Sequence, residues 1–182
     1  MFELSDFYTY CRQNRVDVIP FRGVPQPGAT VRDQGEYAIF LDFSQIPSLR
    51  LLRGVCCHEL GHVATGALHK VSSPFELVER SEYRANRYVA QTYLTAQDFR
   101  EAFHAGYTEL WQLAEYFDMP EQDVKNALTY WSERKGIDFN EENAQSNCRG
   151  RRPRRPTKEN GFSRRPVAAD NAHQVVCNRY AS

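Results

Sequence analysis

The stretch RLLRGVCCHELGHVATGAL, residues 50–68, contains His58-Glu59-Leu60-Gly61-His62. On a helix, residues four apart stand one turn above each other and about 40° apart in projection, so the two imidazoles form adjacent edges of a metal site. A glutamate directly after the first histidine is placed to hold and deprotonate a metal-bound water. This is the H-E-x-x-H arrangement of a zinc peptidase.

The same segment has a second face. Leu49, Leu52, Cys56, Leu60, Val63 and Ala67 fall opposite the histidines, giving an apolar side for a core and a polar side for a cleft. Ser48 is of an N-capping type, and the spacing predicts a helix over 49–69. Cys56 and Cys57 stand about 160° and about 100° from His58, which suits one packing and one flanking residue rather than ligands. His69 shares the histidine face, but on an unbroken helix it lies about 10 Å beyond His62. It reads as a C-terminal residue facing the helix dipole. Thr65 and Leu68 stand where the longer H-E-x-x-H-x-x-G-x-x-H pattern needs Gly and His. A catalytic zinc needs a third protein ligand and an open position. The next helical segment offers Glu76, Glu79 and Glu82, of which Glu82 lies on one face with Ala85, Asn86 and Val89. Glu79 occupies the same stripe one turn earlier and is the fallback.

The chain has 182 residues, 41% hydrophobic and 13% aromatic, enough for one domain with a sizeable core. Its net charge of zero is a cancellation. Residues 148–182 hold nine Lys/Arg and two acids, whereas residues 1–147 hold fourteen and twenty-one. An acidic body therefore carries a basic tail. The N-terminus MFELSDFYTYCRQ lacks the basic and apolar regions of a secretory signal, and no apolar run approaches the roughly 18 residues of a membrane span. Cys11, Cys56, Cys57, Cys148 and Cys177 are odd in number and form no C-x-x-C pair. A soluble cytoplasmic protein with reduced thiols is expected.

Leu4, Phe7, Tyr8 and Cys11 recur at helical spacing over 4–14. Residues 16–21 read as a short strand that Pro20 places near a sheet edge, 22–30 as a loop, and 36–42 as the clearest strand. Ser73-Pro74 opens a helix over 74–94, and Thr95 with Asp98 forms a capping-box pattern for another ending near Gly106. Thr108 is placed to cap ELWQLAEYF. Pro120 begins EQDVKNALTYWSERK, which Gly136 stops. From about 140 onward periodicity disappears, and RGRRPRRPTKENGFSRRP is too charged and Pro-rich to bury a core, so 140–182 reads as a disordered tail.

His58–His62, followed twenty residues later by Glu82-x-x-Ala85-Asn86-x-(aromatic)-x-Ala90, resembles the ImmA/IrrE family of metallopeptidases. There HE-x-GH is followed by a helix of the pattern E-x-E-A-N-x-F-A-x-x-L-L-M-P. The strand YAIFLD (37–42) and the downstream LAEYFDMPEQDVKNAL (113–128) extend the likeness to about residues 5–138. Arg84 stands in place of the usual second acid, and TYLTAQ where LLMP is common. The resemblance implies an α+β, zincin-like core over 1–94, a helical, helix-turn-helix-like subdomain over 95–139, and the tail beyond. It implies His58, His62 and Glu82 as ligands of Zn2+, with Glu59 as catalytic base. The implied substrate is a helix-turn-helix transcriptional repressor whose cleavage derepresses genes, often one encoded nearby on a prophage or mobile element. Strand 36–42 is expected to pair with an extended substrate. Asn86 is an expected partner of a ligand histidine, while Tyr37, Tyr83, Tyr88 and Arg84 are the transition-state donors open to choice.

Two other function classes fit parts of the chain. The segment TELWQLAEYFDMPEQDVKNALTYW has helix-turn-helix form, but Glu121, Gln122 and Asp123 at the start of its second helix would repel phosphates. A packing or substrate-docking role is favoured there. The arginines at 149, 151, 152, 154 and 155 suit weak contact with nucleic acid or an acidic partner. A non-catalytic DNA- or partner-binding regulator with a structural or vestigial zinc site is thus one alternative. A toxin-like peptidase acting on a host protein is the other.

Overall fold

In the computed structural model of the chain, the described residues are 2–23, 25–68, 74–139 and 174–175. They form an α+β arrangement of six helices and a small mixed sheet. Helix α1 (Leu4–Asn14) leads into strand β1 (Val16–Pro20), followed by β2 (Gly28–Asp33) and β3 (Glu36–Leu41). Arg15, left-handed at φ 54°, makes the tight junction between α1 and β1. Gln34 and Gly35, at φ 48° and 92°, form the two-residue turn whose twist suits a β2–β3 hairpin.

Strand β3 pairs in parallel with β1 and antiparallel with β2, so it lies inside the sheet. Both of its edges are taken, and the expected pairing of a substrate with 36–42 is overturned. Pro20 does sit at a sheet edge, on β1. Strand β2 also corrects the expected loop over 22–30. Beyond β2 a two-residue strand, β4 (Gln174–Val175), pairs with Arg32 and Val31. The rest of the expected tail, including Cys148, Cys177 and the arginines at 149–155, lies outside the described residues.

Helix α2 (Leu49–Thr65) starts where expected, with the Ser48 hydroxyl accepting from the Leu51 amide at 3.1 Å. It ends four residues earlier than the spacing predicts. Gly66 takes a left-handed φ of 61° and turns the chain away. The axial separation that set His69 aside therefore does not apply, and His69 itself lies outside the described residues.

Helix α3 (Phe75–Thr92) follows, and then α4 (Ala96–His104) with the Thr95–Asp98 capping box in place. Helix α5 (Leu110–Phe117) is capped by Glu109 rather than Thr108, and Asp118 ends it in the left-handed region. Helix α6 (Glu121–Thr129) starts after Pro120 and runs into a π-helical turn, Tyr130–Arg134.

One hydrophobic core joins these elements, from Phe2 and Phe7 through Ile39, Leu41 and Leu60 to Phe99, Leu113, Phe117 and Phe139. Phe99 sits at its helical end, with ring centroids 5.1 Å from Phe117 and 5.9 Å from Phe139. The start of α6 packs on α2, since a Cβ at Gly54 would fall 2.5 Å from atoms of both Pro120 and Asp123. Asp123 is buried there, so the acids at the head of the helix-turn-helix-like segment face the protein in part rather than an open groove. Among the described residues, no helix is long and apolar enough to cross a membrane.

Candidate metal centre

His58 and His62 lie one turn apart on the buried stretch of α2, at 1% and 0% exposure. Their Nε2 atoms are 3.0 Å apart. Glu82 reaches them from α3, with Oε2 3.2 Å from His58 Nε2 and Oε1 3.5 Å from His62 Nε2. The sequence explains this convergence through two small residues. A Cβ at Gly61 would stand 2.8 Å from the Ala85 carbonyl oxygen and 3.0 Å from its Cα. The glycine inside the H-E-x-x-H segment thus lets the backbones of α2 and α3 touch. Glu82, three residues before Ala85, lies on the same face of α3 and is carried to the histidines.

The turn at Gly66 completes the support. It returns the Ala67 carbonyl over the end of α2, where that oxygen stands 2.6 Å from His62 Nδ1. A carbonyl only accepts, so Nδ1 carries the proton and Nε2 presents its lone pair to the centre. Ser81 donates to the same carbonyl, which ties the residue before Glu82 to the residue orienting His62. The buried Oδ1 of Asn86, the expected partner of a ligand histidine, makes no hydrogen bond among the described residues.

These donors fit a metal. In a tetrahedral site with bonds of about 2.0–2.1 Å, neighbouring donor atoms lie about 3.3 Å apart. The observed edges of 3.0, 3.2 and 3.5 Å bracket that spacing. Two imidazole lone pairs and a carboxylate so close repel one another unless a cation or a shared proton lies among them. His58, His62 and Glu82 could therefore hold a metal ion together. Glu79, the fallback, is exposed and lines a separate groove on the outer side of α3 with Arg80, Arg84, Arg87 and Arg134.

Glu59 is 2% exposed and points toward the sheet. The Thr30 hydroxyl of β2 donates to Glu59 Oε2 at 2.6 Å. A Cβ at Gly28 would lie 3.0 Å from Glu59 Oε1 and 2.5 Å from the Val55 side chain. Sequence reasoning missed both β2 residues. The alternation in Gly28-Ala-Thr-Val-Arg-Asp33 and the Gln34-Gly35 turn were the available signals.

Among the residues left open as transition-state donors, Tyr83 and Arg84 line the outer groove, and Arg134 lies over the Tyr83 ring at 5.9 Å. Tyr88 packs its ring edge against Tyr93. The Tyr37 hydroxyl is buried near Gly66, 3.7 Å from where a Cβ would stand there, with no hydrogen bond among the described residues. None of the four belongs to the three-donor group. Cys56 and Cys57 are fully buried in the core, and burial pushes the Cys56 thiol far above its usual range, as befits packing residues.

Comparisons of the chain with protein-family models, with curated proteins and with solved structures find no match.

Proposed function

We propose that this chain is a zinc-dependent endopeptidase with a zincin-like core, of the ImmA/IrrE type. The observation that carries the reading is the meeting of His58 Nε2, His62 Nε2 and the Glu82 carboxylate at 3.0–3.5 Å, with a buried Glu59 next to His58. A zinc ion held there supplies an acidified water and a Lewis acid for the peptide carbonyl oxygen. Glu59 accepts the proton of the attacking water and returns it to the leaving amine nitrogen. His62, fixed through its Nδ1 proton on the Ala67 carbonyl, would present its Nε2 to the metal. The Glu82 carboxylate would balance part of the ion's charge.

For the substrate we propose a helix-turn-helix transcriptional repressor, cut at a specific site so that its genes are derepressed. An excess of seven acids over bases in residues 1–147 is complementary to a basic DNA-binding partner. The test is incubation of the zinc-loaded full chain with a repressor encoded in its genomic neighbourhood, with and without a chelator. Discrete fragments that disappear with chelator, and that Glu59→Gln does not produce, are expected. Fragments from the Glu59→Gln protein would sink the assigned mechanism. An intact repressor bound without cleavage would favour a non-catalytic regulator.

A further inference from the structure

From the buried contact between β2 and α2 we infer that Thr30 is the positioning residue of Glu59: its hydroxyl holds Oε2 and so fixes the orientation of the carboxylate that adjoins His58 in the chain. The inference rests on the proposed metal-dependent chemistry and assigns a residue from a strand that no motif marks. Four observations carry it. Thr30 and Glu59 are both buried, at 0% and 2% exposure, so the bond between them is shielded from competing water. Its length of 2.6 Å is that of a firm hydroxyl–carboxyl hydrogen bond. The alternative acceptor, the Glu59 carbonyl at 3.4 Å, is much the poorer. Gly28 stands two residues earlier on the same face of β2, where a Cβ would press on Glu59 Oε1 and Cγ at 3.0 and 3.1 Å.

Strand β2 thus provides a donor for one carboxylate oxygen and room beside the other. The chemical need is plain. A glutamate has three rotatable side-chain bonds, and a base on a helix loses its alignment with an attacking water when these bonds turn freely. Threonine is suited to the task because its branched Cβ fixes the direction of the hydroxyl on a strand. A valine at this position would keep the shape and remove only the donor.

Co2+ alone is the probe, loaded into the full chain in place of zinc and read by its d–d absorption at one pH, which senses the groups around the ion. Wild type, Glu59→Gln, Thr30→Val, Thr30→Ala and Thr30→Ser are compared, with far-UV circular dichroism to verify folding. All five are expected to bind one Co2+ per chain. The Thr30→Val and Thr30→Ala spectra are expected to shift from wild type toward that of Glu59→Gln, and Thr30→Ser to restore the wild-type spectrum. A wild-type spectrum in Thr30→Val, with Glu59→Gln clearly shifted, overturns the inference while leaving the proposed chemistry standing. Unfolding of both Thr30→Val and Thr30→Ala makes Thr30 a folding residue and also overturns it. Absence of Co2+ binding in wild type, or no shift in Glu59→Gln, defeats the proposed chemistry and this inference with it.

Discussion

Gly61 sets the distance on which the centre depends, because a Cβ there would press on the Ala85 backbone, part α2 from α3 and carry Glu82 off the histidines. Gly61→Ala meets backbone rather than a yielding side chain, so the helices themselves must move. A destabilisation of about 1–3 kcal/mol is expected from such overpacking, read by urea denaturation, together with weaker zinc binding in a competition titration with a chromophoric chelator. Unchanged zinc affinity in this variant would show that the close helix approach does not govern the site. Glu59→Gln keeps all three donors and is expected to bind zinc as wild type does. The three donors that could hold a metal were legible because a helix repeats every 3.6 residues, so the His58–His62 pair and the stripe of Glu82 follow from spacing. Glu79 and Glu82 shared a stripe on paper. What separates them is the place where α3 touches α2, and that is a tertiary fact. Thr30 was not legible, since nothing local ties a strand threonine to a glutamate 29 residues away.

One turn and one strand determine how the elements present the site. Gly66 stops α2, and its left-handed turn brings the Ala67 carbonyl to His62. The helix was predicted to run to 69 because Ala67 and Leu68 continue its apolar pattern, and a glycine inside such a pattern leaves open whether it is a stop. Strand β2 was hidden for a related reason. Prolines at 25 and 27 and Gly28 give its entrance a loop composition, and its six residues are too few for alternation to stand out.

At the far end of the hairpin, Asp42 caps the turn Phe43–Gln45. Its carboxylate accepts from the Ser44 hydroxyl and the Gln45 amide, and from the backbone amides of Gly23 and Ser44. Chiefly through the Ser44 and Gln45 bonds, its pKa is lowered from 3.8 to about 2. The sign follows directly, because a carboxyl that holds its proton less tightly when folded stabilises the fold above its unfolded pKa. That contribution is complete above about pH 4 and fades as pH falls through about 2. Asp42→Asn is expected to remove this part of the acid sensitivity, seen as a smaller drop in melting temperature between pH 4 and pH 2. An unchanged drop would contradict the cap's role.

For the molecule as a whole, a single core runs from the α1–sheet end to the Phe99, Phe117 and Phe139 cluster. Asp118, at the end of α5, pairs with Arg50 and Arg53 on helix α2. The helical half therefore braces the helix that carries the histidines, and residues 2–139 are expected to unfold together. Far-UV circular dichroism and tryptophan fluorescence should give coincident transitions, and separate midpoints would show two units. Phe99→Ala, which empties the middle of the aromatic cluster, is expected to cost about 3–5 kcal/mol.

A ligand that binds only the folded chain stabilises it by mass action, by about 2.7 kcal/mol at a free concentration of one hundred times Kd. Zinc should therefore raise the melting temperature of wild type and leave Glu82→Ala nearly unmoved. The most direct measurement is metal content after stripping, zinc reloading and desalting, by elemental analysis of wild type, Glu59→Gln and Glu82→Ala. One zinc per chain in the first two and none in the third is the expected result. Full zinc in Glu82→Ala, or none in wild type, would contradict a centre built from His58, His62 and Glu82.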